Sequence, residues 1–298
     1  MKNVVVLLSN PTRPALDTGT VQAALEILRA GGASVGTADW LAADIACEIP
    51  FDGPPPAGVE TGLAMAGIDA VILPSEGRRK KLLVADMEST VIENEMLDEL
   101  ADFLGLRERI AAITAHAMNG EIDFAGALTE RVGLLKGLPV GKLDEAAWRI
   151  RYMPGGATLV ATMKQHGATC ALVSGGFTYF TALVRKALGF DSDSANVLTH
   201  DGKTLSGTVE LPILGKEAKL ATLQRLLGER SLTMADALTV GDGANDLPML
   251  QAAGLGVAFR AKPAVAAQVP ARIVQGDLTA LLYLQGYRRS EFIEGKSP

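Results

Sequence analysis

Apolar positions change period repeatedly along the chain, and the changes mark out its elements. Val4-Val5-Val6-Leu7-Leu8 is a continuous apolar run of strand length, followed by a loop with Pro11 and Pro14. From about Thr20 to Ala30 the apolar residues Val21, Ala24, Leu25 and Leu28 recur at i, i+3, i+4 and i+7. This spacing predicts a helix, which Gly31-Gly32 stops. Apolar stretches at 34–41 and 45–51, a break at Gly53-Pro54-Pro55-Pro56 and a helix-compatible run into Ala70-Val71-Ile72-Leu73 complete a β-α-β-β-α-β order. That order predicts a small ferredoxin-like α/β domain over residues 1–76. Residues 75–81, with Arg78-Arg79-Lys80-Lys81, read as a basic, solvated linker.

A second pattern begins at Leu82. Short apolar runs at 82–85, 168–173, 237–240 and 256–259 alternate with helical periodicity, which predicts a doubly wound parallel sheet. Three of these runs end in Asp86, Ser174 and Gly241-Asp242, at the strand ends where such sheets bind ligands. Between the first two runs lies a helical insertion, residues 91–153, with helices expected at 95–104, 107–119, 123–136 and 142–151. Gly120, Gly137 and Gly141 fall at their ends. An insertion just beyond a strand tip is placed to cover the crevice as a cap. The Asp201-Gly202 turn within 192–211 predicts a β-hairpin, and 288–298 reads as a frayed tail.

Length and composition narrow the class. At about 150 residues per domain, 298 residues allow two domains. With 48% hydrophobic and 21% charged residues, wholesale disorder is excluded. The net charge of −6, without a Lys/Arg stripe, argues against nucleic acid or an anionic membrane as partner. Two distant cysteines, Cys47 and Cys170, make no disulfide framework and suit a reducing cytoplasm. The first apolar run is too short for a signal-peptide core, and no run of 18 apolar residues exists. His116, His166 and His200 show no ligand spacing for zinc.

The candidate chemistry sits at the strand tips. Asp86-Met87-Glu88-Ser89-Thr90 brings two carboxylates to one tip, although such residues also serve as helix caps. Gly241-Asp242-Gly243-Ala244-Asn245-Asp246 is a second acidic tip whose glycines allow a tight turn. Asp86 and Asp242 could hold Mg²⁺, which takes one or two carboxylates plus substrate phosphate. A carboxylate nucleophile beside such an ion is the arrangement an aspartyl-phosphate enzyme needs. Ser174-Gly175-Gly176, expected to follow a strand and open a helix, would form an anion site. Lys219, or Lys216 in competition with it, offers a cation 23 residues or more before Asp242.

These four motifs, in this order, resemble the haloacid-dehalogenase-like phosphohydrolase superfamily. Residues 86–95 with Phe124, Arg131-Val132, Leu134-Leu135-Lys136 and Leu138-Pro139 are similar to the phosphoserine phosphatase family within it. So are Val173-Ser174-Gly175-Gly176-Phe177 and 240–246. The likeness covers roughly residues 82–285. It implies a phosphatase domain over 82–286, with core 82–90 and 154–286 and a helical cap at 91–153. Residues 1–76 fit the ACT-like module that often precedes this domain in the family. A serine sensor, a homodimerisation module and a cover for a sheet edge are open alternatives for them.

The resemblance also implies roles. Asp86 would attack phosphorus, and Glu88 would protonate the leaving seryl oxygen and later deprotonate water. Mg²⁺ would be held by Asp86, the main-chain carbonyl of Glu88, and Asp242. Ser174, Gly175 and Lys219 would bind phosphoryl oxygens, with Asn245 nearby and Asp246 in support. Glu95 would meet the ammonium of free phosphoserine and Arg131 its carboxylate, with Met118 and Phe124 as apolar contacts. The implied reaction is hydrolysis of O-phospho-L-serine to L-serine and phosphate, the last step of serine biosynthesis. Phosphoryl transfer to another alcohol such as homoserine, or a non-catalytic sensor, are the alternatives. The family usually carries Asp where this chain has Glu88, a side chain longer by about 1.5 Å.

Overall fold

The structure, a computed structural model, describes residues 1–54, 58–64, 66–118 and 121–296; at 60, 61, 115, 117, 118 and 216 it describes the backbone alone. The expected break at Pro55-Pro56 and the helix stop at Gly120 therefore lie outside the described residues.

The first segment runs β1 (Asn3–Leu8), α1 (Thr18–Ala30), β2 (Ser34–Val35), β3 (Asp39–Ala42), β4 (Ala46–Asp52), α2 (Val59–Ala64) and β5 (Asp69–Pro74). Its sheet order is β2-β4-β1-β5, with β3 also on β4, and every pairing is antiparallel. The uninterrupted apolar run of β1 follows from burial on both faces. Val5 and Leu7 pack with Val21, Ala24 and Leu28 of α1. Val4, Val6 and Leu8 face the opposite way, into the core shared with the rest of the chain. Asp17 begins α1 by accepting the Thr20 amide at 2.7 Å, an N-cap that satisfies one orphan donor.

The second segment runs β6 (Leu82–Ala85), α3 (Met96–Asp102), α4 (Arg107–Met118), α5 (Phe124–Gly133), α6 (Gly141–Ala147), α7 (Gly156–Gln165), β7 (Thr169–Phe177), α8 (Thr178–Leu188) and β8 (Ser192–Asn196). It continues with β9 (Leu198–His200), β10 (Leu205–Val209), α9 (Lys216–Glu229), β11 (Ala237–Gly241), α10 (Leu247–Ala252), β12 (Leu255–Phe259), α11 (Pro263–Ala266), β13 (Ala271–Ile273) and α12 (Ala280–Leu284). Six strands form one parallel sheet in the order β13-β12-β11-β6-β7-β8. Alternate residues of β6 enter different cores: Leu82 and Val84 join Leu223, Leu226 and Leu227 of α9, whereas Leu83 and Ala85 join Leu159, Val160 and Met163 of α7. The chain winds outward from β6 through β7 to β8, then returns to β11 and winds the other way. The direction switches between β6 and β11, and a crevice opens at their carboxyl ends.

Helices α3–α6 form the insertion over that crevice. Its two connections pair with each other through the Ile92–Tyr152 bridge and the backbone bonds Glu93 N–H to Arg151 and Met153 N–H to Val91. The β9–β10 hairpin turns at Asp201-Gly202 and ties to the cap as well, with Gly137 N–H bonded to Leu205 and Val140 N–H to Lys203.

Several sequence expectations need correction. Ser192–Asn196 is an edge strand of the main sheet rather than part of the hairpin. Its Ser-Asp-Ser-Ala-Asn run lacks the β-branched residues that signal a strand, and a single neighbour, β7, supplies its ladder. β13 has three residues and no sequence signal. The basic stretch is not simply solvated: Arg78 pairs with Glu48 at 2.7 Å, and Lys80 Nζ donates to the carbonyls of Gly77 and Ala235. The expected frayed tail is anchored around Phe292, which is buried, with Ile293 N–H bonded to Thr162 and Arg288 paired with Asp39. Among the described residues no helix is long and apolar enough to cross a membrane.

Candidate active site

At the switch point the two acidic tips meet. Asp86 follows β6, and its amide bonds Val240 of β11 at 3.0 Å, which holds the two tips in register. Asp242 follows β11, and Asp246 lies one tight turn later. Gly241 permits that turn, because a Cβ there would come within 2.7 Å of the Asp246 Cβ. Carboxylate oxygens of Asp86, Asp242 and Asp246 all lie within 4.8 Å of one another, and all three residues are buried. Lys219 reaches in from α9, 2% exposed, with its ammonium 2.6 Å from both Asp86 and Asp246. Asp246 also accepts the Gly243 amide at 2.9 Å. With its carboxylate engaged by Lys219 and Gly243, it acts as the brace of this corner.

The electrostatics follow from burying three acids with one close base. Burial pushes Asp86 well above the usual carboxylate range, Asp246 adds to the shift, and Lys219 opposes it. Burial raises Asp242 to about 6, again with help from Asp246 and against the pull of Lys262. Burial acts to lower Lys219, but Asp246 and Asp86 outweigh it and hold the ammonium above its ordinary value. Three carboxylates against one ammonium leave an excess of buried negative charge and of hard oxygen donors. That donor set fits a divalent cation. Asp86 and Asp242 are the pair with a carboxylate oxygen left for it, since Lys219 takes one oxygen of Asp86, whereas Asp246 gives one oxygen to Lys219 and the other to the Gly243 amide.

The opposite wall comes from the cap. A cavity of about 1050 Å³ is lined by Asp86, Glu88, Asp242, Glu95, Phe124 and Arg131, among others. Gly175, from β7, and Asn245, from the loop after β11, also line it. Glu88 turns its longer side chain toward the cap and accepts the Met96 amide at 2.8 Å. Gly176 makes room for it, because a Cβ there would lie 2.7 Å from the Glu88 carboxylate. Burial pushes Glu88 well above the usual carboxylate range and the Glu95 charge adds to that, against the Met96 amide. Glu95 starts α3 and accepts the hydroxyl of Ser89 at 2.6 Å, a residue held at φ +55°. Burial lowers Arg131 from its ordinary value, with the charges of Glu88, Glu95 and Asp98 acting against it.

Ser174, Lys219 and Asp246 are buried in the core and are not among the residues that line the cavity. Ser174-Gly175-Gly176 does not open a helix, as the sequence had suggested. β7 continues to Phe177, α8 begins at Thr178, and the Ser174 hydroxyl accepts the Gly176 amide at 2.9 Å. The strand shifts register between Val173 and Phe177, across this motif, and α8 begins just beyond it. The side chain of Met118, at the end of α4, lies outside the described residues, as does that of Lys216. Two residues here went unremarked in the sequence. Thr90 donates its hydroxyl to Asp242 at 3.4 Å, and its place in the Asp86 motif was a usable signal. Lys262 lines the cavity and its amide bonds the Asp242 carbonyl, and no sequence pattern marks it.

Comparison with known proteins bears on the same residues. A family model described as haloacid dehalogenase-like hydrolase matches residues 83–251. A phosphoserine phosphatase of Polaromonas sp. is 45% identical over 210 residues, covering 68% of this chain and 89% of that protein. A probable phosphoserine phosphatase of Schizosaccharomyces pombe is 41% identical over 224 residues, covering 74% and 75%. Among solved structures, a probable phosphoserine phosphatase from Vibrio cholerae superposes with a TM-score of 0.80 at 28% identity, over 97% of this chain and 88% of that one.

Proposed function

Because the chain belongs to the haloacid dehalogenase-like hydrolase family, we propose that it hydrolyses O-phospho-L-serine to L-serine and phosphate through a phospho-Asp86 intermediate. The observation that carries this reading is the meeting of a buried Asp86–Lys219–Asp242 corner with a cap wall bearing Glu95 and Arg131 across one cavity. The cavity can therefore receive a phosphoryl group at one end and a zwitterion at the other.

In the first half-reaction an Asp86 carboxylate oxygen attacks phosphorus, and the bond from phosphorus to the seryl oxygen breaks. Glu88, whose burial favours its protonated form, gives a proton to that leaving oxygen. In the second, Glu88 takes a proton from water, the water oxygen attacks phosphorus, and the bond to Asp86 breaks with release of phosphate. Lys219 stands 2.6 Å from Asp86 and offsets charge on the transferring group, with Ser174, Gly175 and Asn245 around the phosphoryl oxygens. Mg²⁺ would be held by Asp86, the carbonyl of Glu88 and Asp242, and would supply charge neutralisation at the phosphate. Glu95 receives the substrate ammonium and Arg131 its carboxylate, with Phe124 and Met118 as apolar contacts.

The same reading takes residues 1–76 as a separate module, 82–90 with 154–286 as the catalytic core, and 91–153 as the cap. The antiparallel first sheet with its own helical layer supports that division. The test is phosphate release from O-phospho-L-serine with Mg²⁺, with and without EDTA, against other phosphomonoesters including phosphothreonine. Fast, EDTA-sensitive and serine-selective release is expected. Release without selectivity would remove the pocket assignment, and no release from any ester would remove the reaction.

A further inference from the structure

The proposed reaction gives Arg131 a role but does not explain what sets its guanidinium in place. It is half-buried, it lines the cavity, and among the described residues no carboxylate pairs with it within 4.0 Å. Two neutral oxygens hold it instead. Its Nε donates to the Ala127 carbonyl one turn back on α5, at 3.1 Å, and its Nη1 donates to Thr114 Oγ1 on α4, at 3.3 Å. The Thr114 hydroxyl in turn donates to the Ile110 carbonyl at 3.0 Å. The proton chain is thus directional: guanidinium to hydroxyl to helix carbonyl.

A β-branched residue bonding back to the carbonyl four residues earlier contributes nothing to a helix interior. Its lone pair, however, is fixed by that bond and aimed across the α4–α5 contact at the guanidinium. Thr114 also lines the cavity. A carboxylate at this position would hold Arg131 equally well but would neutralise it. A hydroxyl fixes the orientation and leaves the whole positive charge, with the other Nη donors, for a ligand anion.

We propose that Thr114 is a positioning residue that sets Arg131 for recognition of the substrate carboxylate, and so contributes to selectivity for amino-acid phosphoesters. This rests on the reading of Arg131 given above. It is tested on the full chain with Mg²⁺ by steady-state kinetics of Thr114→Val, Thr114→Ser and Arg131→Met. Thr114→Val keeps shape and deletes the acceptor, so KM for phosphoserine should rise about fivefold while kcat stays within about twofold, the scale of one hydrogen bond. Thr114→Ser should restore KM. The inhibition constant of inorganic phosphate, which needs only the acidic corner, should not move in any variant.

A KM unchanged by Thr114→Val while Arg131→Met raises it overturns the role of Thr114 alone. A shift in the phosphate inhibition constant equal to that in KM, without rescue by serine, overturns it in favour of a general packing effect. An unchanged KM in Arg131→Met overturns the assignment of Arg131, and this inference with it.

Discussion

The two sides of the cavity are built on opposite principles. The acidic corner hangs from central strands of a parallel sheet and is buried, with Lys219 2.6 Å from two carboxylates. The cap wall hangs from short helices, and its Arg131 is held by two neutral contacts of 3.1 and 3.3 Å. Glu95 is exposed and oriented by Ser89. Charge developed during phosphoryl transfer needs groups that are already rigid and desolvated, since reorganising them would add to the barrier. Selecting a substrate needs charges left unspent until the ligand arrives. The corner is self-paired and the wall is not, and under the proposed reaction that contrast separates rate from selectivity.

The contrast can be broken most severely at the corner. Asp86→Asn removes the proposed nucleophile and should lower kcat by about 10³-fold or more, with EDTA giving a comparable loss in the unaltered chain; phosphate release measures both. Next is Glu88, which belongs to both sides through its bond to the Met96 amide. Glu88→Gln should cost about 10²-fold or more in kcat, whereas Glu88→Asp, which keeps a titratable acid, should lose far less. Equal rates for the two variants would remove Glu88 from proton transfer.

On the wall, Arg131→Met should raise KM for phosphoserine about tenfold or more with a much smaller change in kcat, as expected when a charged hydrogen bond to substrate is lost. An equal fall in kcat would show that the two sides are not separable. The smallest expected effect on catalysis lies outside both. Asp69 of the first sheet accepts the amides of Val274, Gln275 and Gly276 at 2.9–3.0 Å, beside β13. Asp69→Ala leaves those donors unpaired and should destabilise the fold by about 2 kcal/mol, read as a lower denaturant midpoint, with KM and kcat nearly unchanged.

Legibility in the sequence followed the same divide. Asp86, Asp242 and Asp246 were legible because strand-tip chemistry places such residues at short spacing, and the tips converge; Lys219, on a helix with Lys216 in competition, was carried by the family resemblance. Arg131 and Glu95 were carried by family resemblance rather than by periodicity, since a charged residue on a helix has the same pattern whether it faces a ligand or water. Thr114 left no trace at all, because its partner lies 17 residues away on another helix. The polar edge strand Ser192–Asn196 and the packed tail around Phe292 were missed for a related reason. Their order comes from neighbours distant in the chain and not from their own residues.

By itself, then, the amino-acid sequence determined the alternation of strands and helices, the acidic tips and the glycines that let them turn, because period, propensity and turn geometry are local. Tertiary structure decided the rest. Parallel pairing of β6 with β11 brought Asp86 and Asp242 to one point across 156 residues, the pairing of 91–93 with 151–153 closed the neck of the cap, and the contact of α4 with α5 set Arg131. These choices depend on which surfaces bury one another, and burial is a property of the assembled chain.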